Sequence, residues 1–462
     1  MRSSSALCLL LPGLVSCAYP YPNTDIEKAA IQKEVEGTPA LPNWRAYIPK
    51  LPSLGRPLRV ASPCCGIHGT AHALDVMNVP YQCNNIFDLD ASYGYLLEKH
   101  LRLAGMQNIE LHLGKKLGNM LEYGLEKLAM PVDVLMAGPP CPPWAGQGSK
   151  KSHQDARFKV FCRVLEWVYM LAKCGGLLCA ILENVEGITW ALGGREPMMT
   201  MLLRIVTQMI PEFAWGVDTC YLPHYGIPHT RTRVFLRGIR RSIADAVPPV
   251  LPKLGIERTL HDVLGKFPNI IRSGLTWHQK NNITSYEGMI RAKFADGALT
   301  LADWVVFAYD RAADRVYKQQ LTKNLCPTLT TNNKYLMVAD VAGVVNRVPD
   351  AYRRIFRPLM NTERLALQGF EPSIAIDLRP ASAFKAAGNA YPVPLVLATL
   401  MPLLQAVADS GMDFRAWPDP SMISRELPQG LDVFRKELKK KPKVLKNEVR
   451  PMAKSRKRRR SF

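Results

Sequence analysis

One segment, residues 131–144, constrains the fold of this chain more than any other. It begins as a short apolar run, typical of a strand buried on both faces of a parallel sheet, and breaks at Gly138. Two prolines precede Cys141 and two follow it. Because proline fixes φ and has no N–H for a ladder, the segment predicts a stiff loop after a strand. Ligands of open α/β sheets bind at the carboxyl ends of the strands, so Cys141 is a candidate nucleophile. The alternative is a proline-rich turn with an incidental cysteine.

The net charge of the chain indicates which classes of molecule it could bind. The 462 residues carry a formal net charge of +21. Residues 435–462 hold 14 lysines and arginines against two glutamates, so +12 of the excess lies in a C-terminal tail. Such an excess favours a polyanionic partner, either nucleic acid or an anionic membrane surface. The length fits two or three domains, or one large domain with a long insertion.

The 11 cysteines form no regular framework. No pair of CxxC motifs occurs, so we expect no metal site and a reducing compartment. No transmembrane span is evident, and we expect no membrane partner. The first 18 residues imitate a short signal peptide, with one positive charge, an apolar run and small residues near the end. The cysteines and the basic tail favour a nuclear location instead, and a cleaved signal peptide is the alternative.

The first strand–helix unit of the sheet is predicted after a proline-rich start. Residues 57–62 predict a strand that runs into a turn with Gly66 and Gly69, and residues 70–77 predict a helix. Glycine in such a turn lets a cofactor approach the backbone. Tight turns use glycine everywhere, so this signal is weak by itself.

The second unit strengthens the prediction. Residues 81–87 predict a strand that ends at Asp88, and residues 91–103 predict a helix. An acid about 20 residues past the glycine turn is placed to accept hydrogen bonds from a ribose. Helix capping is the other role of such an acid, and Asp88 and Asp90 can divide the two.

Polar side chains lie at the end of the fifth predicted strand and at the start of the last predicted strand of the sheet. Glu183 and Asn184 end a fully buried strand and therefore share a sheet edge with Cys141. Arg231 and Arg233 lie two residues apart, so in a strand they face the same side. The other elements predicted for the sheet are strands at 108–113, 214–222 and 233–239, and helices at 117–130 and 155–173.

The alternation of strands and helices predicts an α/β chain with a Rossmann-like sheet. After about residue 245 the alternation stops, and helical patterns resume near residue 361. We therefore predict four regions. They are a mostly unstructured extension (1–55), a main domain (56–244 with 380–410), a smaller domain of strands and loops (245–379), and a linker with a basic disordered tail (411–462).

These features, in this order, resemble the cytosine-5 DNA methyltransferases. That family has a glycine turn, an acid after strand two, a Pro-Cys loop, Glu-Asn-Val after strand five, a Gln-x-Arg-x-Arg segment, a target-recognition insertion and a late Gly-Asn segment. The matching segments here are Gly66-Ile67-His68-Gly69, Asp88, Gly138-Pro139-Pro140-Cys141, Glu183-Asn184-Val185, His229-Thr230-Arg231-Thr232-Arg233, residues 245–350 and Gly388-Asn389-Ala390-Tyr391-Pro392-Val393. The chain departs from the family at Cys64 and His68 around the turn, at Ala145 in place of serine, and at His229 in place of glutamine.

The resemblance implies methyl transfer from S-adenosylmethionine to C5 of cytosine in DNA. It implies that the Cys141 thiolate attacks C6 and that Glu183 holds or protonates N3. Asn184 would position these groups. Arg233, with Arg231, would support Glu183 and the cytosine carbonyl oxygen. The main domain would then be the catalytic, S-adenosylmethionine-binding domain, and residues 245–379 the target-recognition domain.

The resemblance also implies a set of cofactor-binding residues. The loop at residues 144–157 is rich in glycine, serine, glutamine and lysine, so we expect it to close over a flipped-out base with its lysines on phosphates. The alternative is a mobile, solvated connection. Two alternatives stay open: an RNA (tRNA) cytosine-5 methyltransferase with the same catalytic set, and a catalytically silent nucleic-acid-binding relative. The cofactor-binding residues are Cys64, Gly66, Ile67, Gly69, Asp88, Leu89, Gly138, Pro140, Asn389 and Ala390.

Overall fold

The structure is a computed structural model. A seven-stranded sheet forms its centre. The described residues are 19, 21–141, 144, 155–192, 194–265, 267, 275–310, 321–331, 336–346 and 356–444. The strands of this sheet are β1 (Leu58–Pro63), β2 (Tyr81–Asp88), β3 (Leu111–Leu113), β4 (Val134–Ala137), β5 (Cys179–Val185), β6 (Phe213–Tyr221) and β7 (Thr232–Arg240). Their order is β3-β2-β1-β4-β5-β7-β6, and only β7 runs antiparallel to its neighbours. The predicted α/β class with a Rossmann-like sheet is confirmed.

Helices cover both faces of the sheet. The α-helices are α1 (Asp25–Gly37), α2 (Gly69–Met77), α3 (Gly94–Leu103), α4 (Gly114–Leu117), α5 (Phe158–Cys174), α6 (Met198–Met209), α7 (Trp277–Ala295), α8 (Val341–Val345), α9 (Asn361–Ala366), α10 (Pro380–Asn389), α11 (Val393–Asp409) and α12 (Leu431–Lys439). One apolar cluster joins α2, α3 and α11 to one face, and a second joins α5, α6 and α12 to the other. These two layers bury the long apolar strands on both sides.

The topology leaves a crevice at the carboxyl edge of the sheet. Strands β1 and β4 pair at the centre, and the chain continues from them toward opposite edges. In open α/β sheets this switch point is where ligands bind. At the opposite edge of the sheet, the Asp133 carboxylate, just before β4, forms ion pairs with Arg56 and Arg59 at 2.7 Å each.

The smaller domain contains a second sheet. Its strands are β8 (Trp304–Ala308), β9 (Leu336–Asp340) and β10 (Phe356–Pro358), paired antiparallel in the order β10-β9-β8. Helix α7 packs on it, and Tyr286 stacks on Phe307 with ring centroids 4.5 Å apart. This 19-residue helix was not predicted, because only three of its side chains are buried and they give too weak an apolar stripe.

The boundary expected at residue 379 falls earlier in the structure. Leu365 of α9, with Phe370 and Leu378, belongs to the apolar cluster that also contains α2 and α11. Residues 361–378 therefore pack with the main domain. Periodicity shows that a helix has an apolar face, but it does not show which core receives that face.

The expectation that residues 1–55 are mostly unstructured is corrected by α1. Thr24 and Glu27 form a capping box at its start: the Glu27 N–H donates to Thr24 Oγ1 at 3.3 Å, and the Thr24 N–H donates to Glu27 Oε2 at 2.9 Å. Only Ile31 of this helix is buried, so the sequence offers no stripe to detect. The helix packs against Pro372–Asp377.

The helix expected over residues 117–130 is wrong. Helical turns occur there only at α4 and at Leu125–Lys127. Gly118 lies so close to β2 that a Cβ on it would be 1.9 Å from the carbonyl oxygen of Asp88. Helix α4 ends at this close contact, where only glycine fits.

The C-terminal region also contains structure that we expected to be linker and tail. Leu431, Phe434 and Leu438 of α12 are buried against the layer formed by α5 and α6. Phe434 stacks on Tyr169 with ring centroids 4.7 Å apart. Among the described helices, none is by itself long and apolar enough to cross a membrane, and α10 with α11 meets that test only as a pair bent by 45°.

Helix α12 predicts a stability effect. Phe434→Ala should lower the free energy of unfolding by about 3–4 kcal/mol, because it removes a fully buried ring. The control is Val433→Ala on the same helix, where the side chain is 52% exposed and the expected change is within about 0.5 kcal/mol. Urea denaturation measures both, and equal losses would contradict the packing role of α12.

Candidate active site

Cys141 lies at the centre of the crevice, between the residues that follow β1 and those that end β5. Its loop is held by Asn184, whose buried side chain donates from Nδ2 to the Pro139 carbonyl at 3.2 Å. The Cys141 thiol donates to the same carbonyl at 3.8 Å. Asn184 therefore ties the end of β5 to the cysteine loop.

Glu183 and Arg233 form a buried ion pair beside this loop. Arg233 Nε lies 2.6 Å from Glu183 Oε1, and the Glu183 side chain is only 5% exposed. The antiparallel ladder between β5 and β7 places Arg233 opposite Val185, two residues from the carboxylate on the same face. A single cation thus compensates the carboxylate inside the site.

The electrostatics of the site keep Cys141 as a thiol. Burial, and next the charge of Glu183, raise the pKa of Cys141 to about 12. Arg233, Arg231 and the N–H of Val185 lower it, but they do not offset burial. Any event that neutralises Glu183 therefore favours the thiolate.

Arg231 takes a role different from the one expected. Its guanidinium is buried and donates to backbone carbonyls of Leu329, Gly388 and Ala390, at 3.1 Å, 3.4 Å and 2.6 Å. Burial, and next the charge of Arg233, lower the pKa of Arg231 to about 9, so the group stays charged at neutral pH. Arg231 joins the two domains, and its charge reaches Glu183 and Cys141 without direct contact.

His229, where the family has glutamine, is a second connection between the domains. The buried ring donates from Nδ1 to the Leu367 carbonyl at 3.0 Å and accepts at Nε2 from the Leu329 N–H at 2.9 Å. The bond accepted at Nε2 requires the neutral ring. Burial, followed by Arg231 and Arg233, holds the pKa of His229 well below its usual value.

The turn after β1 leaves open space at one glycine. Gly66 has φ +54°, and a Cβ on it would meet nothing within 4 Å. Its N–H donates to Asp88 Oδ2 at 2.8 Å, while Asp88 Oδ1 accepts from the Asp90 N–H at 2.9 Å. Asp90 caps the following turn, accepting from the Ser92 N–H, as the division of roles predicted. Burial raises the pKa of Asp88, and the two hydrogen bonds from Asp90 and Gly66 lower it by less.

The other cofactor-binding candidates differ in exposure. Leu89 is 57% exposed, Asn389 is exposed at the end of α10, and Ile67 is buried in the core. Cys64 and Pro140 are partly buried, and Ala390 is buried. The His68 ring does not point into the turn, because it is buried with Nε2 3.8 Å from Cys83 Sγ on β2.

Sequence reasoning missed Tyr391. Its ring lies between two glycines: a Cβ on Gly69 would be 2.9 Å from one edge, and a Cβ on Gly138 would be 2.9 Å from the other. A Cβ on Gly138 would also lie 3.6 Å from Glu183 Oε2. The space at both glycines is therefore filled by Tyr391, which joins the turn after β1 to the cysteine loop. The glycines were the visible signal, but nothing in the sequence indicated their partner.

Trp144 anchors the far end of the cysteine loop. Its ring is buried against Phe158 and Phe161 of α5, and its carbonyl lies against Gly187, just past β5. Ala145 and most of the predicted mobile loop, residues 145–154, lie outside the described residues.

One group of metal-ligand type side chains lies away from the crevice, on α2 and α3. His100 Nε2 is 2.6 Å from Asp75 Oδ2, and His100 Nδ1 is 3.1 Å from His72 Nε2. The two imidazole centroids are 4.1 Å apart with an interplanar angle of 73°, so the rings pack edge to face. These contacts form a hydrogen-bonded network in which both nitrogens of His100 are engaged.

The sheet and its crevice define an open α/β protein with a candidate ligand site at the carboxyl edge, and comparison with known proteins gives its family. The model for the C-5 cytosine-specific DNA methylases matches residues 58–403. The chain is 26% identical over 285 residues to the type II methyltransferase M.NlaX of Neisseria lactamica, covering 60% of this chain and 78% of that one. It is 25% identical over 290 residues to M.HpaII of Haemophilus parainfluenzae, covering 60% and 73%. Among solved structures, the methyltransferase EhMeth of Entamoeba histolytica gives a TM-score of 0.44 at 14% identity, covering 76% and 98%. The chain belongs to the C-5 cytosine-specific DNA methylase family, so the resemblance seen in the sequence is confirmed.

The charge of Glu183 predicts the reactivity of Cys141. Glu183→Gln should lower the pKa of Cys141 and speed its alkylation by iodoacetamide at pH 8, about tenfold for each pKa unit. In the unchanged protein the rate should keep rising with pH beyond pH 10, because the pKa is about 12. Site-resolved mass spectrometry measures the rate. The control is Glu186→Gln, an exposed carboxylate one residue past β5. Equal rates in both variants would remove Glu183 from this role.

His229 predicts a loss of stability in acid. The unfolded chain binds a proton near pH 6.5 and the folded chain does not, so the stability from neutral His229 is complete above pH 6.5 and is lost as pH falls below it. The loss is about 1.4 kcal/mol at one pH unit below. His229→Gln offers the same donor and acceptor without titrating, so it should reduce the fall in melting temperature between pH 7.5 and pH 5.5. An unchanged fall would show that His229 does not carry it.

Proposed function

We propose that this chain transfers a methyl group from S-adenosylmethionine to C5 of cytosine in DNA, through a covalent bond between Cys141 and C6. One observation carries the proposal: the Cys141 loop is bonded to Asn184 beside the Glu183–Arg233 ion pair. A nucleophile, a carboxyl group and a cation thereby share one crevice. C5 of cytosine is by itself a poor nucleophile. Addition of a thiolate to C6 with protonation of N3 makes C5 nucleophilic, and these three groups can supply both steps.

The turn after β1 fits the proposed cofactor. The open face at Gly66 leaves room for a ligand against the backbone, and the Asp88 carboxylate can accept further hydrogen bonds there, as a ribose would offer. Asn389, exposed at the end of α10, would contribute from the other side. When bound, S-adenosylmethionine would supply an electrophilic methyl group on a sulfonium. Tyr391 fills the space at Gly69 and Gly138, so contacts from those two glycines would come from their backbone.

The residues of the site divide the remaining chemistry. Cys141 gives its proton to the Glu183 carboxylate and forms a bond to C6, while Glu183 passes a proton on to N3, so the negative charge of addition does not stay in the ring. C5 then has the electron density of an enamine and can bond to the transferred methyl group. The C5 proton next leaves to water as the C6–S bond breaks, and the proton on N3 returns through Glu183 to the Cys141 thiolate. Arg233 holds that carboxyl group in place throughout.

DNA is the substrate we propose, because the chain is strongly basic and its family model is that of DNA methylases. C5 and C6 of cytosine are stacked inside a duplex, so the base must be flipped out, at a cost of a few kcal/mol. The smaller domain would contact the duplex, as the resemblance implies for a target-recognition domain.

The test uses tritiated S-adenosylmethionine with duplex DNA of mixed sequence, and with total tRNA as a second substrate. Cys141→Ser should reduce methyl transfer to DNA by roughly 10³-fold or more, and Glu183→Gln by about 10²–10⁴-fold. Cys162→Ser, a partly buried cysteine on α5, is the matched control and should keep full activity.

A second measurement tests the covalent bond. Duplexes with 5-fluorocytosine cannot lose a proton from C5, so the normal protein should form a complex with them that survives denaturation, and Cys141→Ser should not. Transfer to tRNA but not to DNA would overturn the substrate assignment. DNA binding without cofactor binding in calorimetry would show a silent relative instead.

A further inference from the structure

A tryptophan ring lies at the surface beside the cysteine loop. The Trp144 N–H donates to the Cys141 carbonyl at 3.0 Å, so the chain turns just after the candidate nucleophile. A Cβ on Gly187 would lie 2.1 Å from the Trp144 carbonyl oxygen and 3.6 Å from the ring of Trp190. Gly187 therefore contacts both the end of the cysteine loop and the Trp190 ring.

The exposure of this ring differs from that of its neighbours. Trp190 is 45% exposed, whereas Trp144 and Trp167 are 2% exposed or less. Tryptophan is on average one of the more buried residues, and it is enriched where proteins contact other molecules. A single exposed ring is common on protein surfaces, so its position beside the crevice is what gives it meaning.

The turn that carries the ring is held by other groups. Ile188 is fully buried and packs with the layer formed by α5 and α6. The Thr189 hydroxyl donates to the Glu186 carbonyl at 2.8 Å, and the Trp190 N–H donates to the Gly187 carbonyl at 3.3 Å. These contacts use one apolar side chain, one hydroxyl and the backbone, so the turn is fixed without a contribution from the indole N–H.

The surface beyond this turn is basic. The N–H of Lys443 donates to Glu196 Oε1 at 2.9 Å, and the N–H of Glu196 donates to the Lys443 carbonyl at 2.8 Å. This pairing places two exposed lysines, Lys441 and Lys443, next to the segment that follows Trp190. Sites for nucleic acid combine these two features, because positive charge attracts the phosphates and aromatic rings stack on the bases.

We propose that Trp190 stacks on a nucleobase that is uncovered when the target cytosine leaves the duplex. The inference rests on the proposed function and adds a binding residue to it. A cytosine that has moved to Cys141 leaves the faces of its former neighbours without a stacking partner. An indole ring beside the same crevice can cover such a face, and stacking of this kind tolerates any base. Trp190 thereby stabilises the flipped state without reading sequence.

The experiment uses two 20-base-pair duplexes whose central cytosine is already unpaired. In the first, the cytosine lies opposite an abasic site. In the second, the four bases that flank this position on the two strands are also replaced by abasic sites. Fluorescence anisotropy measures the affinity of each protein for both duplexes. Trp190→Ala should weaken binding to the first duplex by about 5–150-fold, the effect of losing one stacked base, and should leave binding to the second unchanged.

Two further variants are the controls. Trp190→Phe keeps an aromatic ring, so it should recover most of the affinity for the first duplex. Tyr47→Ala removes an aromatic side chain that is 51% exposed, close to Arg45, which donates to the Asp75 carbonyl at the far end of α2. This variant should bind both duplexes as the unchanged protein does. Calorimetry with S-adenosylmethionine should give one affinity for all four proteins.

The two duplexes separate stacking from a role in the fold. Equal binding of the first duplex by Trp190→Ala and the unchanged protein would overturn the inference. An equal loss on both duplexes would also overturn it, because the loss would not depend on a base. Methyl transfer to mixed-sequence DNA tests the proposed function separately. A base-dependent effect of Trp190 in a protein that transfers no methyl group would reject the proposed function and leave Trp190 as a DNA-binding residue.

Discussion

The ion pair between Glu183 and Arg233 is the interaction on which the site depends. A carboxylate this deeply buried needs a compensating cation, and the antiparallel placement of β7 beside β5 supplies it. A parallel strand at that position would run in the opposite direction and bring its other end to the crevice. The one reversed strand of the sheet therefore brings Arg233 next to a carboxyl group at the catalytic edge.

Around this pair, residues from distant parts of the chain hold the crevice together. Tyr391 lies between Gly69 and Gly138, so the segment between α10 and α11 also sets the spacing between the turn after β1 and the cysteine loop. Arg231 reaches the carbonyls that flank the same segment. Tyr391 and Arg231 thus hold the backbone segments around the site in place. Loss of either side chain would displace these segments and leave the reacting groups chemically intact.

The sequence predicted well which residues end the strands, but it predicted poorly which distant residues contact them. Asp88, Cys141 and Glu183 were found because parallel strands bring their carboxyl ends to one edge, so chain order alone predicts proximity. The contact of Tyr391 with Gly69 spans more than 300 residues and has no local pattern. Arg231 was expected to face Glu183, yet it is bound by carbonyls of residues that arrive about 100 and 160 residues later. Helices α1 and α7 were missed because few of their side chains are buried, so packing determines them more than any amphipathic stripe does.

The resting state of Cys141 has a consequence for the proposed reaction. A thiol with a raised pKa is a weak nucleophile and is also slow to oxidise or to be alkylated. Burial is the main cause, and the charge of Glu183 is the next. On the proposed reaction, the Glu183 carboxylate receives the proton that Cys141 loses and holds it against N3 of the base, so a bound cytosine reduces the negative charge that Cys141 experiences. Thiolate formation is then coupled to the arrival of the base, and the nucleophile becomes strong only when a carbon to attack is present. The carboxyl group that activates the ring is in this way also the group that restrains the thiol in its absence.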